Sequence, residues 1–394
     1  MVGGNIISAI FMWLITLYLV RVNALEDLGT LSLVQSLGLM FFVFCTFKLI
    51  NVQISDTDKK FSEVDYYFAR ILSGILCILL IAFYMLFSNY NFLIKICCLI
   101  YSVYYALMIL KEYFSANFQI NKEYKNIFIS NGLNGFLSFL SFIVCYSFTK
   151  EIIISLIGMV VAGFFCIILN HFMVNNTKKL YSSFNLVKSL QLIKNNFFLG
   201  ISAVLVSGLI LIPRFFIESA YGLKFLGVFS ALTSIMFFVN IFLNSLTQIL
   251  LKETIDLYDI DQKKSYNKII LNFSYISLVI LIGLIPMYFL RNFITVLIFG
   301  NDFLEYSNEF FYAIALSGFL FWFNYGNFIL NVQRNFRVQI YISIIAFVIQ
   351  MMLCYFLVST YSYVGAFIAM GITYILGFLL CILIFSWKEI KIAS

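Results

Sequence analysis

Twelve apolar runs of about twenty residues, separated by short polar links, leave this chain little choice of fold. A bilayer core about 30 Å thick is crossed by a helix of about 20 residues. Runs of that length lie near 3–20, 28–50, 70–88, 92–110, 127–148 and 152–173, and again near 197–218, 224–250, 269–290, 308–331, 338–357 and 362–386. With 47 phenylalanines, 25 tyrosines and only two prolines, helices suit these runs; barrel strands would need polar inward faces. The predicted class is all-α integral membrane with about 12 transmembrane helices.

The formal net charge of +7 does not point to nucleic acid, because the lysines and arginines stand singly between apolar runs and build no basic face. They report topology instead. Eighteen of the 25 fall on the side shared by the termini and five on the opposite side, which predicts that both termini are cytoplasmic. The first run has no basic region ahead of it and no small-residue cleavage site, so it reads as a first span of a mature chain. All eight cysteines lie within apolar runs, where they act as small hydrophobes. Neither a disulfide framework nor a metal site is expected.

The chain repeats itself. Leu25, Leu28, Gly29, Ser32 and Ser36 recur as Leu223, Leu226, Gly227, Ser230 and Ser234 at a constant offset of 198 residues, each set where an outer loop leads into the second helix of a half. Lys122-Glu-Tyr-Lys125 is echoed by Arg334-Asn-Phe-Arg337 at an offset of 212, in matching inner loops. Six helices per half make the copies enter the membrane from the same side, so the repeats are parallel, related by an axis along the bilayer normal around a central cavity. The expected organisation is a six-helix half over 1–174, a basic cytoplasmic connector over 175–195 and a second six-helix half over 196–394. Within the connector, Leu186–Ile193 is patterned as an interfacial amphipathic helix.

Polar groups inside spans mark neighbours or an aqueous lumen. Asn131, Asn134, Ser138 and Ser141 share one face of the fifth span, Asn240, Asn244 and Gln248 one face of the eighth, and Ser317, Asn324, Asn327 and Asn331 one side of the tenth. Interhelical hydrogen bonding and the lining of a sugar-binding cavity both fit such stripes. Arg214, after Pro213 in the seventh span, reads either as a cationic ligand for an anionic headgroup or as an anchor paired with Glu218 one turn on. Lys48 and Arg21, near span ends, are candidate ligands with snorkelling as the alternative. His171, the sole histidine, is a satisfied polar residue or a proton coupler, and Glu218 is the second coupling candidate.

Several segments resemble the bacterial polysaccharide flippases, exporters of O-antigen and capsule repeat units within the multidrug and oligosaccharidyl-lipid exporter superfamily. They are Leu25 to Phe42, Gly222 to Leu250, Phe299-Gly-Asn-Asp-Phe303, Asn331 to Arg337 and Tyr363 to Ala369. The resemblance implies a carrier, not an enzyme, in the bacterial inner membrane. Its cargo would be an undecaprenyl-diphosphate-linked oligosaccharide, flipped to the outer leaflet by alternating access coupled to H+ or Na+. It implies further that polysaccharide polymerase and chain-length machinery are neighbours. A polymerase itself would need a larger outer loop than Arg291 to Asn308 provides. A multidrug or small-metabolite exporter of the same superfamily is the alternative reading.

Overall fold

A computed structural model describes residues 2–56, 60–174, 185–333 and 336–393, without the side chains of 2, 237, 238, 240–253, 256, 259, 336, 337 and 385–393. Among the described residues are thirteen α-helices and one short 3-10 segment. In the first half these are α1 (Val2–Arg21), α2 (Leu25–Cys45), α3 (Leu49–Ser55), α4 (Glu63–Phe87), α5 (Phe92–Ile120), α6 (Tyr124–Thr149) and α7 (Ile152–Met173). The connector holds α8 (Leu186–Asn195). The second half has α9 (Phe197–Tyr221), α10 (Leu223–Ile260), α11 (Gln262–Phe299), the 3-10 segment Asn301–Tyr306, α12 (Ser307–Val332) and α13 (Phe336–Ala393).

Ten helices among the described residues are long and apolar enough to cross a membrane. The last, Val338–Ile384, has 47 residues and would be about 70 Å long if straight, over twice a bilayer core. It breaks at Ser362, whose φ of 51° and ψ of −127° are not helical, so α13 supplies two passes. With the α10 pass that begins at Leu223, the twelve expected spans are accounted for.

Several helices run past the limits their hydropathy sets. The fourth span was expected to end near 110, yet α5 continues to Ile120 through Lys111 and Glu112. The third was expected from 70, yet α4 starts at Glu63. There Ser62 and Asp65 form a reciprocal capping box that satisfies backbone donors of the first turn. Just upstream, Asp56 closes the loop: its carboxylate accepts from the backbone N–H of Lys60 (3.0 Å) and Phe61 (3.2 Å) and from the Tyr66 hydroxyl (3.0 Å).

The chain forms two compact units. The first comprises Met1–Leu19 and Thr30–Ser207, the second Val20–Gly29 and Gly208–Ser394. In the first, Tyr66, Tyr113, Phe114, Phe118 and Leu192 gather α4, α5 and α8 into one buried cluster. Ser189 of α8 donates to the Asp65 carbonyl (3.1 Å), and Leu186, Val187 and Leu190 remain exposed beside Lys188, an amphipathic face of the expected kind. In the second unit, Ile269, Phe321, Tyr325 and Phe328 join α11 to α12.

The packing inside the units repeats. α4 lies on α5 as α11 lies on α12, and α5 on α7 as α12 on α13. The Tyr18 hydroxyl at the end of α1 bonds Ser147 Oγ of α6 (2.8 Å), and the Tyr221 hydroxyl at the end of α9 donates to the Val358 carbonyl of α13 (3.0 Å). The repeated motif also meets itself inside the second unit. A Cβ on Gly29 would lie 1.9 Å from the Leu223 carbonyl oxygen, and one on Gly227 would lie 2.0 Å from that of Leu25. These residues correspond pairwise at the offset of 198, so the contact is reciprocal, as a two-fold relation between parallel repeats requires.

Candidate functional site

The polar stripe of the fifth span is engaged in helix packing. In the first unit Asn134 and Ser138 are buried on α6, and both reach the Tyr104 hydroxyl of α5, at 3.5 and 3.2 Å. Asn131 donates to Asn5 Oδ1 of α1 (2.7 Å), and Ser141 bonds back to the Ser138 carbonyl. The Oδ1 atom of Asn134 stays buried without a partner.

In the second unit, Asn327 on α12 is buried and donates to the Phe323 carbonyl (3.2 Å), leaving its Oδ1 unbonded. Asn324 lies one turn earlier on the same helix. Nearby, Trp322 Nε1 donates to Ser277 Oγ of α11 (3.1 Å), and its ring neighbours Phe273 and Phe378. The side chains of Asn240, Asn244 and Gln248 lie outside the described residues.

Arg214 is 7% exposed on α9, and Glu218 one turn on is half-buried. Arg21, at the exposed end of α1, donates to the carbonyls of Ile298 (3.1 Å) and Leu297. These are among the last carbonyls of α11, which no later turn of that helix can satisfy. A cation there caps the helix and meets the negative end of its dipole. Gly300, with φ of 106°, follows at a position where a side chain would be strained.

Lys48 sits at a break. Phe47 (φ 46°) and Lys48 (φ 49°) are consecutive left-handed residues between α2 and α3, a conformation that costs non-glycine residues energy. The Phe47 ring is buried, while Lys48 is half-buried. His171, in the last turn of α7, is half-exposed and meets Phe114 edge-on at 6.5 Å between centroids.

The sequence missed the most buried charge described. Arg70 and Lys111 read as inner-loop cations, but both are within helices, Lys111 at 8% exposure. Arg70 is fully buried and pairs through Nη1 with Glu112 of α5, whose side chain is 26% exposed. Its Nε and Nη2 have no partner, nor has Ser73 Oγ one turn along α4. The signal that could have revealed this is the capping pattern Ser62-x-x-Asp65, which puts Arg70 two turns inside a helix. Among the described residues no group of His, Cys, Asp and Glu is placed to hold a metal ion.

No protein-family model matches the chain. The capsular polysaccharide biosynthesis protein CapF of Staphylococcus aureus is 26% identical over 377 residues, 94% of this chain and 93% of the relative. Among solved structures, the lipid II flippase MurJ in an inward closed conformation matches with a TM-score of 0.80 at 14% identity, over 98% of this chain and 86% of MurJ. An inward-facing multidrug resistance MATE family transporter of the MOP superfamily matches with a TM-score of 0.76 at 11% identity, over 98% of this chain and 95% of the transporter. The fold is that of the MOP-superfamily transporters.

On this MOP fold the expected two six-helix repeats are present, and the chain is a multi-pass membrane protein. The solved structures it matches are of transporters and a flippase, not enzymes. Of the expected site residues, Asn324 and Asn327 come together on α12, and Arg214 and Glu218 on α9. Arg21 and Asn134 have bonds committed within the protein.

Proposed function

We propose that this protein flips undecaprenyl-diphosphate-linked oligosaccharide repeat units from the cytoplasmic to the outer leaflet of a bacterial inner membrane, for capsule or O-antigen synthesis. The observation that carries the reading is the similarity to a capsular polysaccharide biosynthesis protein along nearly the whole chain, on a fold shared with a lipid II flippase. Alternating access, coupled to a H+ or Na+ gradient, moves the cargo, and both termini are cytoplasmic. Arg214 holds the diphosphate, and Asn324, Asn327, Asn240 and Asn244 meet sugar hydroxyls. Lys48 stands at the inner break to meet the headgroup, and Glu218 and His171 are the coupling groups. Amides supply both donors and acceptors, which suits hydroxyl-rich cargo.

Deleting the gene tests this. Surface polysaccharide is expected to vanish and lipid-linked repeat units to accumulate on the cytoplasmic leaflet. Normal surface glycan in a strain with no second flippase contradicts it. The fold shared with a multidrug transporter supports one rival, an exporter of drugs or small metabolites. That rival predicts altered drug susceptibility with intact surface glycan.

A further inference from the structure

Packing, not local sequence, imposes the break between α2 and α3. Residues 39–55 contain no glycine or proline, so nothing in them forbids a helix that continues from Leu25 to Ser55. Yet Phe47 (φ 46°) and Lys48 (φ 49°) are both left-handed, and each such non-glycine residue is disfavoured roughly tenfold. The helix ladder shortens there. The Phe47 N–H donates to the Phe44 carbonyl (3.1 Å) and the Leu49 N–H to that of Thr46 (2.9 Å), three residues back and not four. The Val43 carbonyl, which Phe47 would reach in a continuous helix, accepts from the Thr46 hydroxyl (2.9 Å).

Contacts on both sides hold the break. Phe47 and Leu49 are buried in the cluster that also contains Tyr113, Phe114 and Leu192. The Phe44 ring meets those of Phe47 (5.3 Å) and Phe197 (5.6 Å), and Gly200 of α9 backs onto Phe44 so closely that a Cβ would lie 2.6 Å from its carbonyl oxygen. Beyond the break, Gln53 Nε2 of α3 donates to Asn117 Oδ1 of α5 (2.8 Å), a buried amide pair. The second half shows the other form. α10 starts from the repeated motif as α2 does, yet it runs as one helix from Leu223 to Ile260, through Ser245 and Leu246, the counterparts of Phe47 and Lys48 at the offset of 198. The fold therefore accepts this element both broken and continuous.

We propose that the Phe47–Lys48 break is a hinge with two settings: the bent one of this structure, and a closed one in which α2 and α3 join into a single helix as α10 does. Closing relieves two left-handed residues and restores the helix ladder; staying bent keeps the Phe47 ring and the Gln53–Asn117 pair in place. Leu192 of α8 and the first turn of α9 touch only what the bent setting presents, so the segment that leads into the second half biases the hinge. Lys48 moves with it, from a helix boundary into the body of a helix. The use of this movement to present Lys48 to a headgroup rests on the carrier reading; the existence of two settings does not.

Spin labels carried on ketone-bearing noncanonical residues at Glu26 and Ser55, both exposed, read the hinge in the full chain in nanodiscs without any cargo. A continuous helix sets these positions about 44 Å apart, and a bent one sets them closer. The long distance is expected as a minority in the wild type. Phe47→Ala, which takes the ring out of the cluster, and Gln53→Leu, which removes the amide pair, should each raise it severalfold. Lys48→Gly, at ease in the left-handed region, should lower it about tenfold. Circular dichroism reports folding, and if Phe47→Ala does not fold, Gln53→Leu decides. A long distance missing from the wild type and from the folded releasing variants overturns the hinge. So does a Lys48→Gly population equal to that of the wild type, which would mean that left-handed strain does not set the balance. Because no cargo is present, failure of the glycan reading leaves these outcomes unchanged.

Discussion

Gly29 leaves no room between itself and Leu223: a Cβ on Gly29 would stand 1.9 Å from the Leu223 carbonyl oxygen. Gly227 repeats the relation with Leu25 at 2.0 Å. Backbone cannot yield as a flexible side chain can, so a methyl group at either position forces helices apart.

Gly29→Ala and Gly227→Ala are each expected to destabilise the protein by about 1–3 kcal/mol. Gly283→Ala, at a helical glycine with nothing within 4 Å, serves as the control and should leave stability unchanged or slightly raised. Thermal melting of the purified variants measures all three.

Arg21→Ala should lower stability by about 0.3–1 kcal/mol through loss of the cap on α11, with Arg21→Lys in between. Melting temperature checks this, and glycan export at matched protein levels should change little. A large export loss with unchanged melting would instead make Arg21 a ligand.

Arg214→Ala is expected to reduce glycan export about tenfold, and Arg214→Lys less, because charge rather than fork geometry holds a diphosphate. Equal export by both variants at matched levels would make Arg214 an anchor.

Asp56 supplies a pH signature at the loop before α4. Burial pushes its carboxyl up, but hydrogen bonds from Lys60, Phe61 and Tyr66 outweigh it and hold the group below the usual carboxylate range. A folded value below the unfolded one means that the contribution is fully present above about pH 4 and fades as pH falls through the folded value. Protection of the Lys60 and Phe61 amides, corrected for intrinsic exchange rates, should therefore fall under acid in the wild type. In Asp56→Asn that protection should be low at neutral pH already.

The spans and the repeat were legible because bilayer thickness imposes a length on apolar runs and because Leu25, Gly29, Leu223 and Gly227 recur at one offset; that these residues also meet in a close contact was not legible. Helix limits were less legible. Arg70 and Glu112 each look like the edge of a span, and hydropathy, summed along the chain, cannot register that two charges on different helices meet. The polar stripe of α6 showed which face is polar, but not that Tyr104 and Asn5 would meet it. Arg21 was legible as a cation at a span end, but not as the cap of a helix nearly 280 residues away in sequence, since capping across elements depends on tertiary position. The left-handed pair Phe47 and Lys48 carries no glycine or asparagine to announce it.

The most direct measurement is flipping itself. The purified protein is reconstituted into liposomes with a labelled undecaprenyl-diphosphate-linked oligosaccharide, and an enzyme that cleaves the glycan is added outside. The account predicts that cleavage proceeds beyond the outer-leaflet share to near completion when the protein is present. Cleavage that stops at that share, with folded protein and an imposed H+ or Na+ gradient, would contradict it.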